Sequence, residues 1–422
     1  MRFRPALLTA FLTATVTTGA QAPQPAVEAL INQPIFKSVT GFLEKDHDRF
    51  VRELITLTEI PAPPFKEKAR GQAILGMMKQ LELSDVEMDA EGNVMGVRRG
   101  SGGNQMLAVL AHMDTVFPEG TDVKVTRDGD RLMAPGIGDD TRGVALMLQL
   151  VRALNVGQYR TVNDILFVAN VGEEGEGDLR GVKFLMQKGK YKDRIKQFIA
   201  IDGGGQETIT NGGVGSRRYR VTFKGPGGHS YGAYGLVNPA FAMGNAIVKF
   251  GKIPVPQKPK TTYSVGVVSG GTSVNSIPFE VAMDIDMRSE SCAELDKVEK
   301  QFLAIVKEAV DEENKARSTK EGPITADPKK IGDRPCGETP VSSPIIQTVT
   351  AVVAAFGSKP NYNISSTDSN LPMSLGIPAV TIGRGPGGRT HSLDEFTVVE
   401  PKADVRAAQV ALAIILAVSG VK

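Results

Sequence analysis

The sequence predicts an α/β protein: a mostly parallel sheet with helices on both faces, interrupted by an inserted ferredoxin-like α+β domain. Three observations carry this. From Asp46 to about Gly212, short apolar runs alternate with amphipathic stretches, the rhythm of a parallel sheet whose crossovers are helices. From about 214 to 334 the order becomes strand–helix–strand–strand–helix–strand, the split βαβ arrangement. After 335 the first rhythm resumes. The expected organisation is therefore a domain in two parts, 23–213 and 335–422, around an insertion at 214–334.

The elements follow in order. "RFVRELITLTEI" (49–60) and "EKARGQAILGMMKQLEL" (67–83) have helical spacing and are separated by the breaker "PAPP". "NQMLAVLAH" (104–112), "DILFVANV" (164–171) and "QFIAID" (197–202) read as buried strands, with "TRGVALMLQLVRAL" (141–154) as a helix between two of them. In the insertion, "SRRYRVTFKG" (216–225), "TTYSVGVVSGG" (261–271), "FEVAMDIDMRS" (279–289) and "GPITADPKKIG" (322–332) are strand-like. Residues 238–252 read as a helix, and a longer one runs to about Arg317 from the capping box Ser291-x-x-Glu294. Helix 343–357, strand 378–383 and helix 401–418 complete the chain.

Composition bounds the function. The 422 residues are 41% hydrophobic and 23% charged, ordinary for a globular chain with a sizeable core. Lys+Arg is 49 against Asp+Glu at 47, so no net field draws in nucleic acid or an anionic membrane. Residues 1–22 read as a signal peptide: Arg2 and Arg4, an apolar stretch from Pro5 to Val16, then Ala20-Gln21-Ala22. The expectation is a mature chain from Pro23, exported to a periplasm or beyond, with no membrane span. Only Cys292 and Cys336 are present. Such a pair can bond in an exported protein, but spacing does not say whether these two meet.

Ligands of open α/β sheets bind beyond the carboxyl ends of the strands. "LAVLAHMDTV" ends with His112 and Asp114, which share one face of a strand. "APGIGDDTRG" sets Asp139-Asp140 before a helix, where one acid suits capping and its neighbour is left to point elsewhere. "ILFVANVGEEGEGD" places Glu173 beside Glu174, and "FIAIDGGG" ends a run with Asp202. "IGRGPGGRTHSLDEF" carries His391 in a Gly-rich loop. Each alone is more often structural. Together they line one rim of a sheet with imidazoles and carboxylates, a self-repelling set that suits a pair of cations: Zn²⁺, with Mn²⁺ or Co²⁺ as substitutes. One glutamate of the pair would then bind metal while its neighbour takes a proton from a bridging water.

The motifs "DAEGNV", "AHMDT", "APGIGDDTRG", "GEEGEG", "GPGGHS", "GGTSVNSIP", "DIDMRS", "SSTDSN", "GIPAVTIG" and "THSLDE" occur in that order from about residue 46 onward. As a set they resemble the dinuclear zinc exopeptidases of peptidase clan MH, which include peptidase T, glutamate carboxypeptidase and the aminoacylases. The resemblance implies two Zn²⁺ per chain, with His112 and Asp202 on one, Glu174 and His391 on the other, and Asp139 bridging. It implies that Asp114 backs His112 and that Glu173 is the general base. In the insertion, which matches the family's lid, it implies that His229 polarises the scissile carbonyl, often across a dimer interface. Asn275 and Arg288 would contact substrate, Arg288 through a carboxylate.

The sequence departs from the family at Thr141, where a basic residue is usual, and at Gly172, where an acid is frequent. Neither is a proposed ligand, so these bear on substrate preference. Asp202 in place of Glu resembles the aminopeptidase and dipeptidase members, so the expected substrate is a short peptide cut at its N-terminal side. N-acyl-amino-acid hydrolysis or carboxypeptidase action on the same site is the alternative. From another class, a non-catalytic exported binding protein would keep the fold without the chemistry, but every ligand position and the base are intact. No G-x-S-x-G or H-E-x-x-H occurs.

Overall fold

The computed structural model describes residues 23–102 and 105–421; the expected signal peptide lies outside them. The main sheet runs in the order Ser84–Met88, Val94–Arg98, Asp164–Asn170, Met106–His112, Ile195–Gly203, Ala379–Gly383, Thr208–Gly213, Gly337–Glu338, with Asn361–Ser365 also paired to Thr208–Gly213. Its centre is parallel: Asp164–Asn170, Met106–His112, Ile195–Gly203 and Ala379–Gly383 all run the same way. Antiparallel pairings confine themselves to the flanks. Met106–His112 and Asp164–Asn170 are buried along their whole length, which is why their sequences are unbroken apolar runs rather than alternating ones.

Helices cover both faces. Arg142–Val156 lies on one, buried from Arg142 to Leu154, together with Pro401–Ser419 and Pro344–Ala355. Arg180–Gln187 packs on the other through Val182, Leu185 and Met186. "VALAIILAV" (410–418) is thus a buried helix, and no helix among the described residues is long and apolar enough to cross a membrane. The helix read at 49–60 is part of a longer one, Pro34–Thr58, whose buried stripe includes Phe36, Val39, Leu43, Phe50, Leu54 and Leu57. Its middle, "EKDHDR", hides this continuity because two polar residues there are also buried. Arg152 holds Asp46 at 3.0 Å and Glu53 at 2.9 Å, and His47 meets Asp404 at 2.8 Å. His47 is therefore structural.

The inserted unit is a four-stranded antiparallel sheet ordered Thr261–Gly270, Glu280–Ser289, Gly215–Lys224, Thr325–Arg334. The helices Pro239–Phe250 and Cys292–Ala316 pack on it around Phe250 and Phe302, whose rings are 5.0 Å apart. In chain order the strands lie 2-3-1-4, the ferredoxin-like order. The capping box is only half formed. Ser291 Oγ accepts the Glu294 N–H at 3.5 Å, but the Glu294 carboxylate turns to Lys297 at 2.6 Å. Cys292 and Cys336 are bonded, with Cα atoms 5.6 Å apart, joining the start of the long helix to the segment that re-enters the main sheet.

Candidate metal centre and active site

The parallel strands end on one side of the sheet, and the loops leaving them converge there. His112 ends its strand, and Asp202 lies one residue before the end of Ile195–Gly203. Glu173 and Glu174 follow Asp164–Asn170, and Asp139 lies in the turn before the helix at Arg142. His391 Nε2 is 2.8 Å from Glu174 Oε1 and 3.3 Å from Asp139 Oδ2. His112 Nε2 is 3.2 Å from Asp139 Oδ1 and 3.9 Å from Asp202 Oδ1. Asp139 therefore faces two imidazoles, one with each oxygen. Donor atoms around a tetrahedral zinc at 2.0–2.1 Å stand about 3.3 Å from one another. The donor set and spacing fit a pair of divalent ions, with Asp139 between them.

Asp139 and its neighbour divide their work as their order before a helix suggests. Asp140 is fully buried; its Oδ1 accepts the Gly143 N–H at 3.2 Å and its Oδ2 the His112 N–H at 3.2 Å. It secures the helix start and the His112 strand, leaving Asp139 for the cavity. Although His112, Asp140 and Asp202 also stand close enough to hold an ion, both Asp140 oxygens are already engaged by backbone donors. Gly143 is required here, because a Cβ would lie 2.3 Å from the Ile201 carbonyl oxygen.

Asp114 stands beside His112 and does a second job as well. Its carboxylate is 3.6 Å from His112 Nδ1, beyond hydrogen-bond reach. Its main-chain carbonyl oxygen is the closer partner, at 3.1 Å. The carboxylate instead accepts the Glu173 and Glu174 backbone N–H groups at 3.0 and 2.8 Å. Two residues after a strand, an acid is as well placed to hold the neighbouring loop as its own imidazole. It thus faces the His112 imidazole and also fixes the glutamate pair.

A cavity of about 420 Å³ opens over this cluster, lined by Asp139, Glu173, Glu174, Asp202 and His391 together with four arginines, 218, 288, 334 and 384. Arg288, an expected substrate contact, is among them; its Nε is held by Asp286 at 2.7 Å. His229 and Asn275 do not line this cavity. They sit together elsewhere on the insertion: Ser230 N–H donates to the Asn275 carbonyl at 2.9 Å. His229 is exposed, and its Nδ1 accepts the N–H groups of Tyr231 and Gly232. That tautomer leaves Nε2–H as a free donor.

Three cavity-lining arginines were not expected. Arg334, the last residue of an insertion strand, is 5% exposed and donates to Glu173 Oε1 at 3.0 Å. Arg384, just after strand Ala379–Gly383, contacts the Asp202 carboxylate, the Asp202 carbonyl at 2.8 Å and Asp139 Oδ1 at 3.3 Å. Arg218 donates to the Gly175 carbonyl at 2.6 Å and to Asp286 at 3.0 Å. The only sequence signal for any of these is the position of Arg384, directly after an apolar run, the same signal that marks the acids.

Burial and charge move the titrations apart. Burial drives Glu173 well above 4.5 despite Arg334. Asp202 is pushed to about 7 by burial, against the pull of Arg384. Burial also acts to raise Asp139, but Arg384 and the two imidazoles hold it well below 3.8. His391 is raised to about 10 by Asp139 and Glu174. A buried carboxylate with a raised pKa is suited to accept a proton.

Comparison with known proteins places the chain in a family and a fold. The model of "Peptidase family M20/M25/M40" matches residues 108–417. Carboxypeptidase G2 of Pseudomonas is 26% identical over 228 residues, 52% of this chain and 54% of that protein; the match thus spans about half the length of that curated relative. Among solved structures, the aminopeptidase PepT of Bacillus cereus superposes with a TM-score of 0.69 at 23% identity, covering 89% of this chain and 99% of that one. A tripeptidase of Staphylococcus aureus gives 0.72 at 21% identity, over 88% and 98%. A Bacillus subtilis protein described as a dinuclear metal-binding peptidase gives 0.64 at 17%, over 89% and 99%. With its fold shared by these structures and its family model covering both parts of the main domain and the insertion between them, the chain belongs to peptidase family M20/M25/M40.

Proposed function

We propose that this protein is an exported metallo-exopeptidase that hydrolyses amide bonds of short peptides at a dinuclear centre, zinc in the native state. The observation that carries this is Asp139 standing between His112 and His391, with Glu174 and Asp202 completing the two sides. His112, Asp139, Glu174, Asp202 and His391 would hold the ions, which would supply Lewis acidity to a water and to the scissile carbonyl. The chain's own residues do the rest. Glu173 takes the proton from the attacking water and returns it to the leaving amine. Arg334 holds Oε1 of that carboxylate, which keeps Oε2 for the proton. Arg288 meets a free carboxylate of the substrate, its Nη groups being left by Asp286, which engages Nε.

His229 supplies Nε2–H to the carbonyl oxygen from a second copy of the chain, joined through the insertion. The exposed apolar side chains of Phe241 and Val248 on one insertion helix, and of Val267 and Val268 on its edge strand, support that homodimer. The basic, apolar and small-residue order of residues 1–22 supports export. So does the Cys292–Cys336 bond, since such bonds persist in oxidising compartments. A second reading, removal of a C-terminal residue or of an N-acyl group, is favoured by Arg288 in the cavity and by the likeness to carboxypeptidase G2.

Elemental analysis of protein purified without chelators, followed by a panel of dipeptides, tripeptides and N-acyl amino acids, tests both. Two ions per chain and release of N-terminal residues are expected. Cleavage confined to the N-acyl amino acids would transfer the assignment to the second reading. No metal uptake on reconstitution would sink both and favour a binding protein.

A further inference from the structure

Glu395 belongs to the His391 loop but has no part in the chemistry above. It is fully buried. Its Oε1 accepts the backbone N–H groups of Gly138 at 2.8 Å and Asp139 at 2.7 Å, and its Oε2 accepts that of Gly136 at 3.0 Å. Its main-chain carbonyl accepts the Ala134 N–H at 3.1 Å, and its own N–H closes a turn onto the Ser392 carbonyl at 3.0 Å. One residue therefore grips four backbone donors of the stretch 134–139. Three of those bonds go to a charged acceptor, the stronger kind. The stretch needs such a grip, because Gly136 holds a left-handed backbone (φ 75°) and Asp139 and Asp140 leave the helical region, so no regular ladder absorbs these N–H groups.

We propose that Glu395 is a positioning residue for the metal centre. By fixing the main chain at Gly138 and Asp139, it sets the bridging carboxylate so that one oxygen faces His112 and the other His391. The reach is specific to this pairing. Glu395 lies four residues after His391, so the loop that supplies one ligand also orients the ligand shared by both ions. A Cβ at Gly138 would stand 3.0 Å from Glu395 Oε1, so the carboxylate is packed against the backbone it holds. The inference rests on the reading of Asp139 as a bridge between two ions.

The test uses cobalt. Wild-type apoprotein and E395Q are titrated with Co²⁺, following the visible absorption and the heat of binding. Glutamine keeps the shape but cannot accept at the position of its NH₂, so at least one of the three bonds is lost. The expected result is a 10- to 100-fold loss of affinity in E395Q, an altered cobalt spectrum, and a fall in kcat with KM little changed. Two ions bound by E395Q with wild-type affinity and spectrum would overturn the proposal. Wild-type protein that fails to take up two ions would instead overturn the dinuclear reading on which it rests. Hydrogen exchange on the wild-type apoprotein is independent of how the variant folds. The amides of Gly136, Gly138 and Asp139 should be as protected as those of the central strands without metal. Protection that arises only when metal is added would assign the ordering to the ion and remove Glu395 from the role.

Discussion

Replacing Glu173 separates chemistry from stability, because this side chain has two partners. One is the substrate water proposed above; the other is Arg334, 3.0 Å away and 5% exposed. Glu173→Ala removes both at once. Removing one partner of a buried ion pair costs about 3–5 kcal/mol, a large share of the roughly 5–15 kcal/mol that keeps a folded protein together. Glu173→Gln retains an oxygen for the guanidinium but not the counter-charge, so part of that cost is avoided. Loss of a positioned general base lowers kcat by about 10²–10⁴-fold, equivalent to about 3–5 kcal/mol in the barrier. Both variants should therefore lose turnover to a similar extent while keeping two ions per chain, and the alanine variant should unfold at clearly lower urea than the glutamine variant. The assays are kcat on a cleaved tripeptide, elemental metal content, and urea unfolding of each apoprotein. A glutamine variant within tenfold of wild-type kcat, with both ions bound, would refute the base assignment. An alanine variant as stable as wild type would refute the account of Arg334.

Other expectations are simpler. His229→Ala should lower kcat without changing metal content, and a mixed dimer of His229→Ala with a Glu173→Gln chain should regain part of the activity; no regain would place His229 outside its partner's site. The Cys292–Cys336 bond closes 44 residues of sequence separation, worth about 4 kcal/mol in the chain-entropy account. Reduction, or a double serine variant, should lower urea stability by an amount of that order, and an unchanged midpoint would show the bond adds nothing. Burial acts to raise the Asp164 pKa, but the Gly100 N–H, Arg194 and Arg99 prevail and hold it below 3.8. A depressed carboxylate contributes stability above its unfolded pKa and loses it as pH falls through the folded value. The stability gap between wild type and Asp164→Asn should therefore narrow from about pH 5 to pH 2; a constant gap would refute the role given to Asp164.

Much of the fold was legible because buried parallel strands announce themselves. "LAVLAH" and "ILFVAN" are unbroken apolar runs, and each proved to be a fully buried central strand. The flanking strands were not, for physical reasons. Ser84–Met88 has two exposed and three half-buried residues, and the first four residues of Asn361–Ser365 are exposed, so neither carries an apolar signature. Thr208–Gly213, "TITNGG", is buried throughout yet carries no apolar run, because tertiary packing there uses small polar residues. The start of Pro34–Thr58 was lost in the charged run around His47, where Asp46 is buried against Arg152, 106 positions away in sequence.

The site shows the same division between what is local and what is folded together. Most of its acids and imidazoles were readable because they end or follow a strand of the main sheet, and Asp139 because it stands just before a helix. Their counter-charges were not. Arg334 lies 161 residues from Glu173, and Arg384 lies 182 from Asp202. Nothing in the local sequence of either acid indicates a guanidinium. Yet their presence follows from electrostatics. Four carboxylates converging in a buried cavity raise one another's pKa, and they stay ionised only where cations stand among them. Arg384 does this for Asp139, which remains well below its ordinary pKa, whereas Glu173, with burial prevailing over Arg334, is raised. The two arginines thus stand beside residues of opposite proposed role, while Asp202, also against Arg384, is raised to about 7 because burial prevails there too. An acidic rim found at strand ends therefore calls for a search for its buried arginines, because they and burial together set how readily each carboxylate titrates.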